Sequence, residues 1–168
     1  MRRRRSGGGA GTAGGADIVF AMPDPVVSDT ARRRMVGLLV AVALVTVAYW
    51  ALWFSHRSLV ASETSPAYYQ FENAFPLADG WLVLAVLGAA WSLHRRRPAA
   101  IGWLLAGGGA GLYLFCMDVL YDLEHGIWAK GAGGAVELVI NVATLSISAG
   151  LLRWAWRRRQ ALLGRAVR

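Results

Sequence analysis

Apolar residues in this chain fall in long unbroken runs, unlike the alternation of a strand or the one-sided stripe of a soluble helix. Met35–Phe54 carries no charge. At about 1.5 Å per residue such a run crosses the roughly 30 Å hydrocarbon core of a bilayer. A second run covers Ala74–Leu93 and is interrupted only by Asp79. Asn73 can cap it, and Pro76 suits a first turn, where its missing N–H costs little. The third run starts at Pro98, stays uncharged through Met117, and reaches about residue 120. The fourth covers Gly134–Trp156, with Glu137 and Arg153 near its two ends. Connections over 94–98 and 121–133 are short, which makes neighbouring spans antiparallel. The pattern predicts an all-α membrane protein: four transmembrane helices over residues 35–156, in an up-down antiparallel bundle. A cleaved signal peptide competes for the first run, since Arg32–Arg34 form a basic region before it. Signal cores are about 7–15 residues long, and only the stretch through Leu59 and Ala61 offers a cleavage site, so an uncleaved span is expected.

The flanks read differently. Residues 1–34 are basic and glycine-rich and lack the periodic apolar residues of a core, so they are expected to form a disordered cytoplasmic leader. Gly9, Gly11 and Gly14 have dinucleotide-loop spacing, but no strand precedes them and no amphipathic helix follows. Met22 offers a second plausible start, which would make residues 1–21 dispensable. Residues 157–168 form a basic cytoplasmic tail.

Composition agrees with lipid as the main solvent. The chain is 56% hydrophobic and 17% charged, against about 25% charged in soluble domains. Its net charge of +8 raises the question of nucleic acid, but the arginines lie at the ends of the apolar runs. Arg2–Arg5, Arg32–Arg34, Arg95–Arg97, Arg153, Arg157–Arg159, Arg165 and Arg168 share one side, with only Arg57 and Lys130 opposite. By the positive-inside rule both termini are cytoplasmic, in a bacterial-type inner (plasma) membrane. Anionic lipids at the arginine-rich face are the expected partners, and no nucleic acid is. Trp50, Trp53, Trp81 and Trp128 are expected near the outer boundary, and Trp91, Trp103, Trp154 and Trp156 near the inner one. The single cysteine, Cys116, excludes an internal disulfide and a cysteine-only metal site.

Membrane helices associate through close packing and polar contacts. The third span carries Gly102, Gly107, Gly108, Gly109 and Gly111. Gly107 and Gly111, four apart, predict a helix-packing face. No Gly-Lys-Ser/Thr follows, so they are not a phosphate loop.

The candidate chemistry lies in the acids. Glu63, Glu72, Asp79, Asp118, Asp122, Glu124 and Glu137 all fall on the side opposite the arginines. Asp118, Asp122 and His125 share one helical face if the third span continues a turn outward. Glu137, Asn141, Thr144 and Ser148 form a polar stripe into the fourth span. The candidate binding cluster is Asp118, Asp122, His125, Glu137 and Asn141, with Glu72 and Asp79 from the mouth of the second span. Asn141 is placed to donate to Glu137, and His125 to supply compensating charge. A bland alternative has the same groups capping helix ends and complementing helix dipoles. The residue types suit a cation or polar ligand, but no tight metal motif such as HExxH occurs and nothing calls for a cofactor.

The segments FENAFPLADGW and MDVLYDLEHGIW resemble those of small uncharacterised bacterial four-span membrane proteins, a resemblance that carries no activity. Sterol-isomerase-like membrane proteins are similar in architecture alone, with four or five spans and acids near one face. The leading expectation is an outward-facing acidic cluster serving binding or assembly of a partner. The alternatives are a cation- or proton-coupled carrier, which at this size would need a homo-oligomer or membrane partner, and a small membrane enzyme. An enzyme would need an apolar cavity lined by Asp118 or Glu137, and an assembly factor an exposed face of small residues.

Overall fold

The computed structural model describes residues 27–164, and every element among them is helical. Six α-helices follow in order: α1 Asp29–His56, α2 Pro66–Glu72, α3 Pro76–His94, α4 Ala100–His125, α5 Gly131–Arg157 and α6 Arg159–Leu163. Single 3-10 turns, Arg57–Leu59 and Ile127–Ala129, follow α1 and α4. Four segments are long and apolar enough to cross a membrane: Asp29–Leu59, Pro66–His94, Ala100–His125 and Gly131–Arg157. In lipid a backbone must satisfy its own polar groups, and a helix does so along its whole length.

The helices outrun the apolar runs that predicted them. α1 begins at Asp29, where the Ser28 hydroxyl accepts from the Ala31 N–H, so residues 29–34 extend the first span rather than the leader. The rest of the leader, with Gly9, Gly11, Gly14 and Met22, lies outside the described residues, as does the end of the tail. α2 was not expected. The signal for it is Ser65-Pro66: the Ser65 side chain accepts from the Tyr68 N–H and Pro66 takes the first turn. Asn73 closes α2 and does not cap α3, whose first turn Pro76 occupies behind Phe75. α4 does continue past Met117, for two further turns, and stops at Gly126 in the left-handed region (φ 60°) that glycine adopts without strain.

α1 packs on α3, α3 on α4 and α4 on α5, whereas α1 and α5 make no comparable contact. The four long helices therefore form an open row curled around a gap. Asp29 at the start of α1 pairs with Arg32 and reaches Arg96, in the α3–α4 turn, at 3.2 Å. Arg96 sits at φ 55°, and the N–H groups of Arg96 and Arg97 bond to the carbonyls of Leu93 and Ser92. This is a Schellman cap with arginine where glycine is usual.

Most of the core occupies the arginine-rich half: Met35, Leu39 and Ala43 of α1, Val86, Ala89, Ala90 and Leu93 of α3, Ala100 and Leu104 of α4, Leu151 and Ala155 of α5. Glycines bring the helices together. A Cβ on Gly107 would come within 3.2 Å of Val86, and one on Gly111 within 2.3 Å of the Ser148 hydroxyl. Gly108 against Leu152 and Gly88 against the Trp103 ring are as close, and the Gly107/Gly111 spacing did not signal them. Arg95, Arg158 and Arg159 lie over Trp91, Trp154 and Trp156. The two-sided tryptophan belt holds only in part. Trp81 and Trp103, expected at opposite boundaries, lie 6.3 Å apart across the α3–α4 seam, and Trp53 is fully buried. Each indole reaches about one helical turn from its own Cα, so rings on facing helices can meet although their Cα atoms stand at different levels.

Candidate functional site

The gap between α1 and α5 is a cavity of about 400 Å³, within the roughly 300–1,000 Å³ range of ligand sites. At one end it is lined by four carboxyls, Glu72, Asp79, Asp118 and Glu137, with Tyr49 and Trp50 beside them. Towards the arginine-rich end the wall is Val42, Leu82, Val86, Leu114, Ile147 and Leu151, floored by Gly107 and Gly111. Among the described residues no lysine, arginine or histidine lines it.

Each acid is placed by a recognisable local feature. Glu72 ends α2 and is held inward because Tyr68, buried one turn earlier, anchors that helix. Asp79 lies in the first turn of α3, where a carboxylate complements the helix dipole. Asp118 is one turn beyond Leu114 on the inner face of α4, and Glu137 lies near the start of α5. Their hydrogen bonds come from neutral donors. The Tyr49 hydroxyl donates to Glu72 (3.1 Å), the Trp50 indole to Asp79 (2.8 Å), and the Ser62 hydroxyl to Glu137 (2.5 Å). Asp118 accepts no hydrogen bond from the described residues. The Ser148 hydroxyl, also in the wall and on a residue only 4% exposed, has no partner among them either.

The expected cluster is thus divided. Glu72, Asp79, Asp118 and Glu137 meet on one cavity, whereas Asp122, Asn141 and His125 do not line it. Asp122 is buried and accepts from the Trp128 indole (2.8 Å) and from the Asn141 amide (2.6 Å). Asn141 therefore serves Asp122, not Glu137. The cause is register: Asn141 stands one turn further along α5 and faces α4. Its side-chain oxygen Oδ1, like the Tyr121 hydroxyl, is buried without a partner among the described residues. His125 forms no ion pair with the cavity acids among the described residues. It stacks on Tyr121 (4.0 Å), and its Nδ1 lies 2.9 Å from the Tyr121 carbonyl at the exposed end of α4. No group of three His, Cys, Asp or Glu among the described residues is disposed to hold a metal ion.

Sequence reasoning missed Tyr49, Trp50, Ser62, Tyr68 and Trp128, which hold the site. The sequence places the tryptophans at the two headgroup boundaries and does not show what their N–H groups meet. Trp50, Trp53 and Trp128 donate to Asp79, Asn73 and Asp122. Phe71 stacks on Tyr121 at 3.9 Å and fastens α2 to α4. Outside the spans, Lys130 pairs with Glu63 at 2.7 Å, and its ammonium holds the Glu63 carboxyl below the usual glutamate range.

Comparison with protein-family models, curated proteins and solved structures finds no match.

Proposed function

We propose that this chain is a multi-pass membrane protein, with its arginine-rich end and both termini in the cytoplasm, that binds a cationic group at the acidic end of the cavity. One observation carries the reading. Four carboxyls line one cavity, and among the described residues every hydrogen bond they accept comes from a neutral group and no basic side chain lines the cavity with them. An ionised carboxyl out of water is costly without a counter-charge, and a cationic ligand supplies it. The two basic residues on the acidic side of the sequence are engaged elsewhere: Lys130 with Glu63, and Arg57 over Trp53 and Tyr69. Gly107, Gly108 and Gly111 of α4 are turned towards α3 and α5 and so are not free for an assembly partner, whereas Gly102 and Gly109 meet no neighbour within 4 Å. A carrier is disfavoured by the apolar cluster around Leu39, Leu93 and Leu104, which closes the arginine-rich end.

A second reading has support from the cavity itself. An apolar chamber lined by both Asp118 and Glu137 is what a membrane enzyme would need, with one carboxyl as acid or base.

Ethylammonium chloride should raise the melting temperature of the purified protein in detergent, relative to equal sodium chloride. Asp118→Asn should remove the shift, and Glu124→Gln, on the exposed face of α4, should keep it. No shift, or an equal one in Asp118→Asn, rejects cation binding at this site. For orientation, a periplasm-dependent reporter fused at Glu63 or Lys130 should be active and one at Arg96 silent. The reverse pattern overturns the topology.

A further inference from the structure

We infer that the ligand is a single-tailed amphiphile with a cationic head, which enters from the bilayer sideways between α1 and α5. This rests on the proposal of a cation site and adds a tail and a route to it.

The route follows from helix packing. Residues of both α1 and α5 line the cavity, yet the two helices do not pack on each other. Ala41, Val45, Ile140 and Ala143 are at once cavity wall and exposed surface. They are the two lips of a lateral opening, at the level of the apolar spans, where acyl chains surround the protein. From the acidic end access is narrower. Glu72 and Phe75, both buried, form the end wall there, and α2 is fastened behind them by Tyr68 and by the Phe71–Tyr121 stack.

The shape suits a lipid-like molecule. From Trp50 to Leu38 the cavity follows α1 for 12 residues, or about 18 Å, close to the ~15 Å of one leaflet's hydrocarbon. Polarity is graded along that depth. All four carboxyls cluster at one end with Tyr49, Trp50 and Phe75, and the rest is aliphatic except for Thr46, whose hydroxyl donates to the Val42 carbonyl, and the hydroxyls of Thr144 and Ser148. The Ser148 hydroxyl, in the cavity wall beside Gly111, is within reach of an occupant of the deeper channel. A small cation would meet the acids and leave this deeper part empty. A tail moving from lipid into an aliphatic cleft gains little by transfer, so the carboxyls select the head while the bilayer supplies the tailed molecule at high local concentration.

The test uses the full chain in nanodiscs of zwitterionic lipid with a dodecylammonium probe carrying a mid-chain diazirine. After photolysis, peptide mass spectrometry should place label on the cavity faces of α1 and α5, around Val42, Val45, Ile140 and Ile147. Unlabelled dodecylammonium should compete and dodecanol should not. Ala143→Trp, which narrows the opening from an exposed position, should cut labelling by about tenfold or more, while ethylammonium still raises the melting temperature. Ala41→Trp on the opposite lip should do the same, and stands in if Ala143→Trp does not fold. If ethylammonium binds but the probe labels the lipid-facing surface evenly, or both tryptophan variants label normally, the lateral route falls and the cation site stands. If dodecanol competes as well as dodecylammonium, the cationic head is wrong. If neither ammonium compound binds, the proposed function fails with the inference.

Discussion

The two halves of the bundle use the same four helices to opposite ends. In the arginine-rich half, Leu39, Ala89, Leu93, Leu104 and Ala155 are almost completely buried in one apolar cluster. In the acidic half the helices part, the space between α1 and α5 stays open, and carboxyls face it. Inside a membrane, apolar burial does not separate helix from lipid, so close packing and hydrogen bonds carry the association. The first half uses packing. The second uses indole, tyrosyl and seryl donors around acids, and leaves room for a molecule. Stability should concentrate in the first and ligand response in the second.

The largest effect should come from hollowing the packed half. Leu104→Ala or Leu39→Ala is expected to cost about 2–4 kcal/mol, because the lost contacts leave a void among rigid neighbours. Val45→Ala, on the lip of the cavity, should cost less than about 0.5 kcal/mol. Melting in detergent compares them, and equal losses would erase the contrast.

Next comes the close approach that ties the α4–α5 connection to α5. A Cβ on Gly134 would lie 2.1 Å from the Ile127 carbonyl oxygen and within 3.0 Å of Trp128 backbone atoms. Backbone must move, so Gly134→Ala should lose about 1–3 kcal/mol. Gly109→Ala, which meets nothing within 4 Å, should be neutral or slightly stabilising. Identical melting of the two variants would show that this junction yields freely.

A third comparison lies within the acidic half. Asn141→Leu strips Asp122 of its amide donor and should cost about 1–3 kcal/mol. Asp118→Asn removes a carboxyl that has no donor to lose, so it should leave melting unchanged or higher while abolishing the ethylammonium response. A Asp118→Asn protein that melts lower would mean that Asp118 is structural.

The smallest effect is the Lys130–Glu63 pair at the rim. Its folded carboxyl titrates below the unfolded value, so its contribution is present above the ordinary glutamate pKa and is lost as pH falls through the lowered one. Exposed pairs contribute under about 1 kcal/mol. The melting difference between the native chain and Lys130→Met should therefore be small at neutral pH and should vanish in acid. A difference that grows in acid would contradict the assigned direction.

Much of this was legible from residues alone. The four spans follow from uncharged runs such as Met35–Phe54, and the two charge-poled ends from Arg95–Arg97 and Arg157–Arg159 facing Glu72, Asp79, Asp118 and Glu137. Spacing also put Asp118 and Asp122 on one face of α4. It could not show that Asp122 would be closed off by Trp128 and Asn141 while Asp118 stayed open to the cavity. α2 escaped notice because seven residues with two tyrosines do not make an apolar run, although Ser65-Pro66 marks its start. The indole hydrogen bonds escaped notice because an indole at a boundary looks the same in sequence whether it faces lipid or donates to a carboxyl.

The sequence by itself determined how many helices could span a bilayer and how charge is poled between their ends. Both depend on the cost of exposing a peptide group or a charge to hydrocarbon, which is decided residue by residue along the chain. Only the tertiary structure decided that α1 and α5 would stand apart and that four of the seven acids on that side would share the space between them. Those outcomes depend on how each helix is rotated about its axis. Distant contacts set the rotation: Gly107 on Val86, Gly111 on Ser148, and Tyr121 between Phe71 and His125.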